Sequence, residues 1–141
     1  MFGTTPEETG LIWQLVSEVD GYIRGPLGDG ITAPIFRGKA KEGEGADAVK
    51  AARGPAYEAL NWVNGKLEGS LYLAGDAISA SDILLLPVMQ ALARAAGKDV
   101  AASLDLQILP LEVTYPNIAG WLTRIQALPG YENTYPPHWR E

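Results

Sequence analysis

The sequence predicts an all-α domain, and three observations carry that prediction. Apolar residues recur at three- and four-residue spacing in four long segments, no stretch alternates apolar and polar residues as a half-buried strand does, and the breaks between segments hold proline and glycine. The first helix opens at Thr5-Pro6-Glu7-Glu8, with an N-cap, a proline at the first helical position and carboxylates at the positive end of the dipole. It runs to about Ile23 with Ile12, Val16, Val19 and Ile23 on one face, and Gly25-Pro26-Leu27-Gly28 is expected to stop it. From Gly28 to Gly45 a loop is expected, holding an apolar island, Ile31 to Phe36, against the core and a charged, glycine-rich tip, GKAKEGEG.

The second helix is expected from about Ala46 to Leu67, striped by Ala56, Leu60, Val63 and Leu67, with Gly54-Pro55 kinking or dividing it. The third spans Ser79 to about Ala95. Its middle, Ile83-Leu84-Leu85-Leu86, is apolar on every side, which predicts a helix buried all round at the centre of the domain. A shorter helix is expected within Ala101 to Leu109. The fourth long helix starts at Pro116 and ends before Pro129-Gly130, with Ile118, Trp121, Leu122, Ile125 and Leu128 on its inner face. Leu71-Tyr72-Leu73 is too short to make a strand of consequence.

Composition bounds what such a domain does. The 141 residues, 47% hydrophobic and 20% charged, suit one domain with a single core, residues 1–141. The absence of cysteine excludes a disulfide framework, a thiolate zinc site and a cysteine nucleophile. The formal charge of −6 argues against a nucleic-acid or anionic-membrane surface. The apolar run Ile83 to Met89 contains Pro87 and falls far short of the roughly 20 residues that span a bilayer. Met1 to Gly10 lacks the basic region and apolar run of a signal peptide, so a cytoplasmic location is expected.

The most specific local signal is Gly75-Asp76-Ala77-Ile78-Ser79-Ala80-Ser81-Asp82-Ile83, at the start of the third helix. Ser79 as N-cap and Asp82 three residues on form a capping box, and Ile78 and Ile83 take the two positions of a hydrophobic staple. At a buried helix start, an unpaired amide would cost about 1–3 kcal/mol. Asp82 has no histidine or second carboxylate beside it in sequence, so capping accounts for it better than catalysis or metal binding.

The run LEGSLYLAGDAISASDILLLPVMQAL, Leu67 to Leu92, resembles the stretch of glutathione S-transferase C-terminal domains in which a short loop leads into a capped core helix. That family's pattern of glycine, apolar residue, Ser or Thr and Asp falls on Gly75, Ile78, Ser79 and Asp82. YPNIAGWLTRIQALPGY, Tyr115 to Tyr131, is similar to the family's last helix, and NTYPPHW to the tail of its bacterial members. Trp13 and the Gly-Pro-Leu exit suit the family's opening C-domain helix, so the resemblance covers nearly the whole chain.

The resemblance implies a helical bundle of the glutathione S-transferase C-terminal type, acting in a parent protein that joins glutathione to electrophiles or runs a related isomerisation. The thioredoxin-like domain that binds most of the glutathione and activates its thiol is expected to be absent here. The implied role is then to wall a pocket for a small hydrophobic electrophile and to form part of a dimer interface, without a catalytic residue, metal or cofactor of its own. Glutathione is the parent family's co-substrate. A stand-alone, non-catalytic protein-interaction module of the same fold is the alternative.

On the first helix, Leu15, Glu18 and Tyr22 share one edge and are the candidate substrate-binding residues; Tyr22 has a hydroxyl to donate. Trp13, Ser17, Asp20 and Arg24 share the other edge, which is an equal alternative as the functional one, with an Asp20–Arg24 ion pair worth a few tenths of a kcal/mol. The remaining features carry structure. His138, a single histidine beside Trp139, cannot build a multi-histidine metal site. Gly25-Pro26-Leu27-Gly28-Asp29-Gly30 lacks the strand and the Lys-Ser/Thr of a phosphate loop. Glu42, Glu44 and Asp47 lack calcium-loop spacing, and Trp62 and Trp121 sit in helical stripes suited to core packing.

Overall fold

A computed structural model describes residues 1–139. Helix α1 (Pro6–Glu18) is capped by Thr5, whose hydroxyl accepts from the Glu8 backbone N–H at 3.2 Å. It does not stop at Gly25-Pro26. The chain continues as π-helix over Val19–Ile23 and Gly25–Thr32 and returns to α-helical geometry in α2 (Ala33–Phe36). One helical rod therefore replaces the expected helix, stop and loop. The wide turns are closed by bonds five residues long, Arg24 N–H to Val19 O and Ala33 N–H to Gly28 O.

The apolar pattern explains the widening. Leu15, Val19, Ile23, Leu27, Ile31 and Ile35 are all buried and recur every four residues. An α-helix holds 3.6 residues per turn, so a four-residue repeat drifts about 40° a step and about 200° from Leu15 to Ile35. Over-wide turns cancel that drift and keep the row on the core. They also tolerate Pro26: the N–H it lacks would have met the carbonyl of Gly21, which is exposed to solvent. Leu15, not Val16, belongs to the buried stripe.

Helix α3 (Gly43–Lys66) begins within the expected loop tip and runs through Pro55 unbroken. Gly54 presents no Cβ to the proline ring, and the freed carbonyl of Ala51 faces solvent. At its start, Gly45 lies against the Lys39 carbonyl, whose oxygen would sit 1.7 Å from a Cβ placed there. After α3 the chain makes a single bridge, Tyr72 with Gly75, and enters α4 (Ala80–Ala96). Then come α5 (Asp99–Ala102), α6 (Leu111–Thr114), α7 (Pro116–Gln126) and 3₁₀ turns at Tyr131–Thr134 and Pro137–Trp139. The short helix expected within Ala101 to Leu109 is one turn placed earlier. Asp105 and Gln107 take positive φ and end regular structure there.

Helices α3, α4 and α7 and the long rod enclose one core, with Leu60, Leu85, Met89, Leu92, Ile118 and Trp121 fully buried. Helix α4 is central but not buried all round: Leu85, Leu86, Met89 and Leu92 face inward, whereas Ile83 is 48% exposed and Pro87 is also exposed. The open side is where no described element covers Ile83 and Pro87. Among the described residues no helix is long and apolar enough to cross a membrane, and no group of three metal-binding side chains converges.

Candidate functional site

The open side of α4 and the π-helical rod enclose a groove of about 620 Å³. Pro87, Val88 and Ala91 of α4 form one wall, and Phe36, 44% exposed, stands at the α2 end. The floor is the rod itself, where Gly21, Gly25 and Gly28 line the groove, and a Cβ added at any of them would meet nothing within 4 Å. These missing side chains make the groove. Widened helical turns are frequent at functional sites, and this one turns its glycines outward while its four-residue apolar row faces the core.

Charge sits at the rim. Arg24 donates to Asp20 at 2.8 Å, with both side chains about 60% exposed (59% and 61%), so the pair is a weak surface bridge. Asp29 and Arg37 complete the rim, and the Lys98 ammonium lies 5.4 Å from the Phe36 ring centroid. The Thr32 hydroxyl is committed to the Leu27 carbonyl at 3.0 Å. Such a groove can hold an apolar body between Phe36 and Pro87 and orient a polar end among the rim charges.

The two edges of the rod part here. Asp20 and Arg24 line the groove, whereas Trp13 and Ser17 of the same edge do not. Glu18 and Tyr22 lie on the opposite edge, in a second cleft of about 420 Å³ with Ile23, Glu58, Ala59 and Trp62. Leu15 is 1% exposed and lies in the core, outside both cavities. Of the three residues proposed to share a substrate edge, the structure thus brings Glu18 and Tyr22 together and places Leu15 elsewhere. Sequence reasoning missed Gly21, Gly28, Phe36, Pro87 and Val88 as groove residues. The available signal was the four-residue repeat through Ile35, which turns the glycines away from the core.

The α4 start is built as follows. Asp82 Oδ2 accepts from the Ser79 backbone N–H at 2.9 Å and from its hydroxyl at 3.2 Å. Oδ1 accepts from the Leu73 N–H at 3.0 Å and the Trp121 indole N–H at 2.9 Å, and the carboxylate is fully buried. Ile78 is half-buried against the core, while Ile83, on the open side, is largely exposed. The Ala80 N–H bonds to the Met1 carbonyl at 3.0 Å, so the N-terminal segment docks on the same helix start. Phe2 stacks on Trp13 at 5.7 Å between ring centroids, and both are half exposed.

Further from the groove, the tail packs on α4: Tyr131 meets Tyr135 edge-on at 5.1 Å, and the Arg94 guanidinium covers Trp139 at 4.5 Å. His138 meets Trp139 edge-on at 6.2 Å. Burial raises the phenol pKa of Tyr57, Tyr115 and Tyr131 above the ordinary value. Tyr57 hydrogen-bonds to the Leu106 carbonyl, and Arg53 Nη1 donates to the Leu104 and Asp105 carbonyls at 3.2 and 3.1 Å.

Comparison with known proteins agrees with this architecture. No curated protein matches the sequence. A glutathione S-transferase of Pseudomonas fluorescens is 19% identical, with a TM-score of 0.70 over 91% of this chain and 56% of that one. A glutathione transferase of Bombyx mori is 25% identical, with a TM-score of 0.59 over 89% of this chain and 49% of that one. A Gtt2-class glutathione S-transferase of Vibrio parahaemolyticus is 20% identical, with a TM-score of 0.63 over 93% and 56%. The chain therefore spans about half the length of each. The model of the glutathione S-transferase C-terminal domain matches residues 29–129, from the last turns of the rod to just past α7. The chain belongs to the glutathione S-transferase family, as its C-terminal, all-helical domain.

Proposed function

We propose that the groove between the π-helical rod and α4 forms the apolar wall of a co-substrate pocket, in a protein that adds the glutathione thiol to small hydrophobic electrophiles or runs a related isomerisation. The observation that carries the reading is the groove itself: apolar walls, a floor opened by three glycines, and charge only at the rim. Its lining offers contact and orientation. The groove's own thiol-activating group would come from a thioredoxin-like domain set against the same face.

The test is to titrate the chain with an aryl halide and with glutathione. The aryl halide is expected to bind, and Gly28→Leu, which places a side chain in the open floor, is expected to abolish that binding while circular dichroism stays unchanged. Glutathione alone should neither bind tightly nor be consumed. Unaided turnover of glutathione, or aryl halide binding indifferent to Gly28→Leu, would overturn the proposal.

A dimer belongs to the same reading. Phe2, which stacks on Trp13, and Ile83 are each about half exposed, apolar surface that a second copy would cover. Sedimentation of the chain should show concentration-dependent association, weakened by Ile83→Lys. A stand-alone interaction module is the second reading, favoured by the same exposed residues; it predicts association with no aryl halide binding.

A further inference from the structure

The cleft on the opposite edge of α1 has a different chemistry from the groove. Glu18 and Glu58 stand on facing helices, Tyr22 and Trp62 supply two aromatic rings, and Ile23 and Ala59 make an apolar floor. No basic side chain lines it. Glu18 Oε1 accepts from the Gln14 side-chain amide at 2.9 Å, but Oε2 is buried with no hydrogen-bond partner. A buried carboxylate oxygen without a donor is costly to keep. The Trp62 ring already attracts positive charge: the Lys66 ammonium lies 5.4 Å from its centroid, yet Lys66 bridges neither glutamate among the described residues. Tyr22, 73% exposed, stands on the solvent side of the cleft.

We infer that this cleft binds a small organic cation, an alkylammonium or alkylguanidinium. Its apolar stem would lie on Ile23 and Ala59, its charge would sit between Glu18 and Glu58, and its face would rest against Trp62. The cation supplies the donor that Glu18 Oε2 lacks, a counter-charge to both carboxylates and a partner for an electron-rich ring. The cleft is large enough for an ion of that kind and too acidic for an anion or a neutral apolar body to be preferred. The inference is independent of the groove's role, because the two cavities share no lining residue.

The experiment titrates the chain with butylguanidinium and, as a neutral mimic of the same shape, butylurea, following indole N–H signals by NMR. Butylguanidinium is expected to saturate with a Kd on the order of 1 mM and to move the Trp62 signal, identified with Trp62→Phe. Butylurea should not bind. Glu18→Gln and Glu58→Gln should each weaken binding about tenfold, whereas Asp20→Asn, on the groove edge, should leave it unchanged; rising salt should weaken it. Equal binding of butylurea, indifference to both glutamine variants, or no saturable binding would each overturn the inference. Failure to bind together with a dimer that Glu18→Gln loosens in sedimentation would also overturn it, and would assign the cleft to a second copy of the chain.

Discussion

Asp82 gathers donors from three parts of the chain, the loop before α4, the α4 start itself and the indole of Trp121 on α7. Hydrogen bonds to a buried carboxylate are worth about 1.5–3 kcal/mol each, with the desolvation of the charge set against them. Asp82→Asn keeps the shape but replaces an acceptor with a donor facing other donors. It is expected to destabilise the domain by about 2–4 kcal/mol in urea unfolding, and Trp121→Phe by about 1–2 kcal/mol. Only part of this hub was legible. The Ser79–Asp82 pair lies three residues apart and follows from helix geometry, whereas the Trp121 indole arrives from 39 residues away and leaves no local trace. Asn64 is a similar case. Its Oδ1 accepts from the N–H groups of Asn117 and Ile118 at 3.0 and 3.2 Å, capping α7 from another helix, where Tyr115 and Pro116 have no side chain able to do so.

Among the elements, the glycines of two helices make opposite predictions from the same chemistry. Gly45→Ala drives a methyl onto the Lys39 carbonyl and is expected to lower stability by about 2 kcal/mol or more, since backbone must move. Gly28→Ala meets open space within a helical rod and is expected to raise stability by about 0.5–1 kcal/mol. Thermal melting of both variants checks the pair. Gly25-Pro26 reads as a stop because that dipeptide interrupts ordinary α-helix; the competing evidence was the row Leu15 to Ile35, whose spacing fits wider turns. For α4 the reverse holds: its wholly apolar middle suggests enclosure on all sides, yet Ile83 and Pro87 face outward. Hydrophobicity says that a face is to be covered and does not say by what.

At the scale of the whole molecule, Tyr57, Tyr115 and Tyr131 tie different ends of the bundle, and burial raises all three phenol pKa values from 10.0. For Tyr57 the neighbouring Arg53 opposes the shift and Asp105 adds to it. A phenol whose folded pKa exceeds its unfolded one gives stability that is complete below pH 10 and lost as pH rises through the folded value. Urea midpoints are therefore expected to hold from pH 8 to about 10 and then fall, less steeply in Tyr57→Phe; phenolate absorbance should lag behind that of free tyrosine. The all-α class and the order of the long helices were readable because periodicity is local. The groove was not, because its walls come from segments some 50 residues apart or more, Asp20 to Phe36 and Pro87 to Ala91.

The groove floor owes its depth to hydrogen atoms standing where other residues carry carbon. A lineage bearing this scaffold can therefore reshape what it accepts by adding single methyl or larger groups at Gly21 or Gly28, each filling its own slot without disturbing the buried row beneath. Preference for one guest over another becomes adjustable in small, independent steps, and tuning it need not erode the resistance of the fold to heat.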